Sequence, residues 1–194
     1  MRLLLAFGSA WGVCAASCTF VSPGTLALLK ATEGFVALPA PDQVGAPTVG
    51  HGHQCQRPGC DEIAAWLPLT PLSAHELLLL DIKPFAQALS AAIPPTVPLN
   101  DSQWGALVSW AYSVGTESAR TSALVRRLAR GDDPQAVVAE ELPKWNRVGE
   151  SQVIPGLVAR RAAEVALFNQ PSARAAHPRC WAGEHPVATA TSKV

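Results

Sequence analysis

Apolar and polar positions alternate with a helical period over most of this chain, and the period fails in one early segment. Over residues 23–33, Leu26 and Leu29 fall on one side and Ala27 and Lys30 on the other. Ser22 supplies an N-cap, Pro23 suits a first turn and Gly34 is a stop, so a helix is expected there. Over residues 35–52, Pro39, Pro41, Gly45, Pro47, Gly50 and Gly52 exclude a helix. Short strands joined by turns are expected instead, with residues 43–46 as one turn. A second helix opens at Thr70-Pro71, carries the leucines 77–80 on its inner side and meets Pro84, where the chain should kink or begin a new first turn. Residues 93–98 read as a loop. Asn100 to Gln103 cap a strongly apolar helix over 104–114, the expected centre of the fold, which Gly115-Thr116 should end. Further helices are expected over 122–129, from Asp132-Asp133-Pro134 to Leu142, and over 155–168, with a tail from Ala175. The predicted class is α+β: a small β-hairpin lobe inserted after the first helix, a larger helical lobe, and a groove between them.

Length allows one domain with a real core, and 17 prolines imply many punctuated loops. The apolar start, with Arg2 and the small residues Ala15 and Ser17, reads as a secretory signal over 1–17, too short to span a bilayer. A lipoprotein cut at Cys18 would want Leu at position 15, which is Ala15. The expected layout is therefore signal 1–17, domain 18–180 and tail 181–194. Without the signal, 14 Lys and Arg face 15 Asp and Glu, a charge of −1 with His neutral. No global positive field would draw the protein to nucleic acid, and no membrane span is expected.

Cys14 leaves with the signal, and Cys18, Cys55, Cys60 and Cys180 remain on an oxidising route. Four cysteines allow three pairings. Cys55 and Cys60 flank the turn-like Gln56-Arg57-Pro58-Gly59 and are expected to pair, which leaves Cys18 for Cys180. A metal site built from His51, His53, Cys55 and Cys60 would need thiolates that this route oxidises, so no metal is expected.

The segment 33–53, EGFVALPAPDQVGAPTVGHGH, carries the candidate chemistry. Glu33 ends a helix, while Asp42 and Thr48 sit in the hairpin that follows. Two carboxylates across a groove, with a hydroxyl to hold water, are the working parts of glycosidic bond hydrolysis. The order Glu-x8-Asp-x5-Thr, with Glu33-Gly34-Phe35 and Thr48-Val49-Gly50-His51-Gly52-His53, resembles glycoside hydrolase family 24, the phage-type lysozymes. The likeness runs over 18–180 and looks closest to a secreted fungal branch. Residues 99–110, 142–145 and 155–164 are similar to that branch.

The resemblance implies a lysozyme-like fold acting on bacterial peptidoglycan without cofactor; the signal places it outside the cell, and a monomer is the default for a groove enzyme on a polymer. It implies Glu33 as general acid, with Asp42 and Thr48 orienting the attacking water and inverting the anomeric centre. Taken singly, Glu33 reads as an ordinary helix-end carboxylate, Asp42 as an Asx turn and Thr48 as a β-branched strand residue. A carboxylate at a helix C-terminus is disfavoured by the helix dipole, which suits a proton donor. His53 either serves the groove as a substrate-binding residue, orienting the loop or contacting Glu33, or is a hydrogen-bonded structural histidine, and His51 is expected to be exposed. Arg160, Arg161 and Glu164 form either an ion-pair network behind the acid or a solvated helix face. Ser113 stands where the family often carries Asn or Gln, which would weaken a groove contact. A glycan-binding protein on the same scaffold and a chitin or chitosan hydrolase are the competing readings.

Overall fold

The computed structural model describes residues 21–42, 45–148 and 152–176. The expected signal, Cys18, Cys180 and turn residues 43 and 44 lie outside them. Eight helices are present among the described residues: α1 (Pro23–Glu33), α2 (Pro71–Asp81), α3 (Lys83–Ala92), α4 (Asp101–Val114), α5 (Thr116–Thr121), α6 (Ala123–Ala129), α7 (Pro134–Glu141) and α8 (Pro155–Phe168). A three-stranded antiparallel sheet, β1 (Val36–Pro41), β2 (Pro47–Gly50) and β3 (His53–Gln54), follows α1 in the order β1-β2-β3. A short hairpin of β4 (Arg147–Val148) and β5 (Gln152–Val153) precedes α8. The α+β class holds.

The helix ends follow from their caps. Ser22 Oγ accepts from the Thr25 amide at the start of α1, and Gly34 closes it with φ +74° and an amide bond to the Lys30 carbonyl. Thr70 with Ser73, and Asn100 with Gln103, form reciprocal capping boxes at α2 and α4. Pro84 sits in the first turn of α3, where its missing N–H is not needed.

The larger core surrounds α4, whose Trp104, Leu107, Val108, Trp110 and Ala111 are buried with Leu29 of α1, Leu124 and Leu128 of α6, and Phe168 of α8. Each fully buried side chain of this size contributes roughly 1.5–3 kcal/mol of transfer free energy. Trp110 meets Trp145 nearly edge-on at 5.3 Å between centroids. A smaller core lies under the sheet: Val49, Cys60, Leu69, Ala74 and Leu77. Helix α2 joins the two, since Leu77 faces the small core and Leu78 the large one. The Leu69 amide also donates to the Ala37 carbonyl, tying the outer edge of β1 to the segment before α2.

The expected Cys55–Cys60 disulfide is present. Gly115 ends α4 as expected, with φ +89° and its amide on the Ala111 carbonyl, but an unforeseen short helix, α5, begins at the next residue. The 3-10 stretch Pro58–Trp66 and the β4–β5 hairpin were not foreseen from the pattern. Among the described residues no helix is long and apolar enough to cross a membrane.

Candidate functional site

Glu33 is the last residue of α1, so its side chain leaves the helix where the chain turns into β1. The carboxylate is 19% exposed and accepts at Oε1 from Arg160 Nη1 of α8 at 2.6 Å. Its other oxygen lies against Gly52 in the β2–β3 turn. A Cβ at Gly52 would stand 2.9 Å from Glu33 Oε2, and the residue has φ +89°. Glycine is required there on both counts.

Asp42 and Thr48 lie on the β1–β2 hairpin. Asp42 holds the turn: its amide donates to the Ala46 carbonyl at 2.8 Å, and its Oδ1 accepts from the Ala46 amide at 2.8 Å. Asp42 thus has a turn role, through the amide four residues on rather than as an Asx turn, and this bond fixes the carboxyl group on the hairpin. Thr48 pairs with Ala40, and its hydroxyl donates to the Ala40 carbonyl at 3.3 Å, which leaves the oxygen lone pairs to accept. Beside them Pro39, Pro41, Pro47 and Gly59 line a shallow hollow of about 260 Å³ on the hairpin.

His51 corrects an expectation. It is buried, not exposed: its Nδ1 bonds the Gly34 carbonyl, its ring lies 5.7 Å from that of Phe35, and its own carbonyl accepts from Tyr112 Oη at 3.0 Å. His51 thus pins the residue after Glu33 to the sheet and, through Tyr112, to α4. Burial, then the negative charges of Asp81 and Glu33, hold the Tyr112 phenol well above its usual range, so it stays a neutral donor.

His53 is hydrogen-bonded on the side of α2. Its Nδ1 lies 2.9 Å from Asp81 Oδ1 at the end of α2, and its Nε2 lies 3.6 Å from Glu62 Oε1. The bond with Asp81 leads the causes that raise its pKa, against the opposing effect of burial. Glu62 also accepts from the Gln56 amide at 2.7 Å inside the disulfide loop, which holds its carboxyl below the usual range. His53 therefore links the sheet to α2 and faces Glu62, just past the loop closed by Cys55–Cys60.

Behind Glu33 the network reading of α8 is the observed one. Arg160 donates from Nη1 to Glu33, from Nε to Glu164 Oε1 at 3.2 Å and from Nη2 to the Ser109 carbonyl at 3.2 Å. Glu164 is fully buried and also accepts from Ser109 Oγ at 2.9 Å and from Arg161 Nη2 at 3.0 Å. Arg161 Nη2 reaches Ser113 Oγ at 2.6 Å, so the Ser113 hydroxyl serves the network. Burial pulls the Arg161 guanidinium down to about 10 and pushes the Glu164 carboxyl up, against their mutual attraction. Arg161 remains a cation at neutral pH.

Asp81, Ser109 and Tyr112 escaped the sequence reading. Signals existed: Asp81 interrupts a leucine run, Tyr112 is the only tyrosine of the chain, and Ser109, Tyr112 and Ser113 share one face of α4 at helical spacing.

Residues 30–164 match the family model for phage lysozyme. The endolysin of Bacillus phage PZA is 35% identical over 154 residues, which cover 77% of this chain and 55% of that protein, so the chain spans little more than half its length. The endolysin of Salmonella phage P22 is 30% identical over 148 residues, covering 76% of this chain and 97% of that one. Among solved structures, the muramidase domain of SpmX from Asticaccaulis excentricus has a TM-score of 0.65 at 28% identity, covering 78% of this chain and 98% of that one. A P22 lysozyme variant has a TM-score of 0.64 at 30% identity, covering 76% and 97%. With the family model spanning most of the described helices and the whole β-lobe, the chain belongs to the phage lysozyme family of glycoside hydrolases.

Proposed function

We propose that this protein is a secreted muramidase that hydrolyses the β-1,4 bond between N-acetylmuramic acid and N-acetylglucosamine in bacterial peptidoglycan, as a monomer and without cofactor. Glu33 donates a proton to the leaving oxygen. Water held by Asp42 and Thr48 attacks the opposite face of the sugar, which inverts the anomeric centre; such a mechanism works with carboxyl groups about 6.5–9.5 Å apart. The observation that carries the reading is the partly exposed Glu33 carboxylate, gripped by Arg160 at 2.6 Å, next to the hairpin that bears Asp42 and Thr48.

Secretion is supported by the Cys55–Cys60 bridge, since disulfides persist in oxidising compartments. A signal over 1–17, a domain over 18–180, a tail over 181–194 and a Cys18–Cys180 bridge complete the proposal. Val21 and Ala176 share the larger core, three and four residues inside those two cysteines. Placement in a secreted fungal branch rests on residues 99–110, 142–145 and 155–164 alone.

The test is incubation of the secreted protein and of Glu33→Gln with purified peptidoglycan, followed by identification of the new reducing ends. Wild type should release muramic acid ends as the α-anomer. Loss of a general acid should slow turnover about 10²–10⁴-fold with the fold intact. Glucosamine ends would make the enzyme a different glycosidase, and binding without any release would make it a glycan-binding module.

A further inference from the structure

Glu33, Arg160, Glu164 and Arg161 form a row of charges of alternating sign, and only the first stands at the surface of the site. A guanidinium 2.6 Å from a carboxylate favours its ionised form, whereas a general acid must hold its proton. Arg160 is not Glu33's alone. Its Nε lies 3.2 Å from Glu164, whose carboxylate is completely buried, where charges are screened least.

We propose that Glu164 is a positioning residue for the acid: it shares the charge of Arg160 and so lets Glu33 keep its proton while Arg160 fixes the carboxyl group in place. The inference rests on Glu33 being the proton donor. Arg161 balances the row from the far side, with Nε 2.9 Å from Glu164 Oε2, and Ser113 holds Arg161. Ser109 takes part twice, through its carbonyl to Arg160 and its hydroxyl to Glu164.

The other groups around Glu33 do not replace this balance. Tyr112 of α4 stays neutral, and Asp81 of α2 is engaged with His53. In the β2–β3 turn His51 spends Nδ1 on the Gly34 carbonyl and Gly52 carries no charge, and Lys30 lies a turn earlier on α1. Among the described residues the remaining charges near Glu33 are the arginines of α8, and Glu164 is their buried counter-charge.

The test follows the Glu33 side-chain carboxyl by ¹³C NMR across pH in the full-length protein, together with the pH profile of kcat/KM on peptidoglycan. In Glu164→Gln the Glu33 titration and the alkaline limb of the profile should move together to lower pH, by about one unit, a tenfold loss on that limb. In Arg161→Gln both should move to higher pH, because Glu164 then draws harder on Arg160. A structural role alone would not move the two variants in opposite directions. Ser109→Ala keeps every charge but removes one donor from Glu164, and it should also move the titration upward; it carries the test if Glu164→Gln does not fold. An unmoved Glu33 titration in the folded variants overturns the proposal even if Glu33→Gln is inactive. Full turnover by Glu33→Gln would instead overturn the catalytic reading and leave the NMR result standing by itself.

Discussion

Gly52 backs directly onto the Glu33 carboxylate, so close that a methyl group there would stand 2.9 Å from Oε2. Arg160 holds the other oxygen, and the carboxylate cannot swing away without breaking that bond. Gly52→Ala should therefore displace the acid and strain a left-handed backbone at once. A misplacement of about 1 Å can cost about 10²-fold in rate, while the backbone strain costs about 1–2 kcal/mol. Turnover on peptidoglycan should fall on the order of 100-fold, far more than the drop in melting temperature accounts for. A Gly52→Ala enzyme with wild-type kcat would refute the close approach.

The contact between α1 and α4 inverts an ordinary rule in the same way. Glycine to alanine inside a helix is normally favourable by about 1 kcal/mol. At Gly105, however, a Cβ would lie 1.8 Å from Thr25 Oγ1 and 3.0 Å from Thr25 Cβ. Thr25 is fully buried and its hydroxyl lies 3.1 Å from the Ser22 hydroxyl, so it has nowhere to go. Gly105→Ala should destabilise by about 1–3 kcal/mol through overpacking. Adding Thr25→Ala, which removes the nearest atom, should restore part of that loss in urea denaturation.

What the sequence disclosed tracks the distance over which its signals act. Helix α8 runs over the expected 155–168 because Pro155 and the apolar period mark it locally. Glu33, Asp42 and Thr48 fall within sixteen residues, so their order could be read from the string. Helix α5 has six residues, fewer than two turns, and Gly115 before it looks like a terminator. The two-residue strands β4 and β5 are shorter than any alternation can reveal. His51 and His53 stand two apart and look equivalent in the sequence. Their partners, Gly34 with Tyr112 for one and Asp81 with Glu62 for the other, come from segments that only tertiary packing brings near. The same holds for Ser109 and Ser113 beneath α8.

The Cys55–Cys60 bridge closes a small loop whose Cys60 lies fully buried in the lesser core. A loop this short implies about 2 kcal/mol of stabilisation in the chain-entropy model. The bridge also holds the Gln56 amide that fixes Glu62, two residues past Cys60, near His53. Cys55→Ser with Cys60→Ser should lower ΔG of unfolding by about 2 kcal/mol or more, since a buried sulfur is replaced by a hydroxyl. Glu33 itself is held by Arg160 of α8, which lies outside that loop. At a temperature where the variant stays folded, its kcat should therefore remain within a few-fold of wild type.

The His53–Asp81 pair makes stability depend on pH in a defined direction. Hydrogen bonding to Asp81 is the largest cause raising the His53 pKa, with burial opposing it. A folded-state pKa above the unfolded value of about 6.5 means that the folded protein binds the proton more tightly. The stabilisation is therefore complete below about pH 6.5 and is lost as pH rises through the folded value. His53→Asn removes it. The difference in unfolding free energy between wild type and His53→Asn should be largest near pH 5, at about 1.5–3 kcal/mol for a hydrogen bond to a charged partner. It should shrink steadily towards pH 9, where the imidazole is neutral in both states. Glu62 adds to the same trend, because it stays ionised throughout this window and faces Nε2. Urea titrations of both proteins between pH 5 and 9 measure the gap, and a gap that widens with pH would mean that His53 is held neutral in the fold.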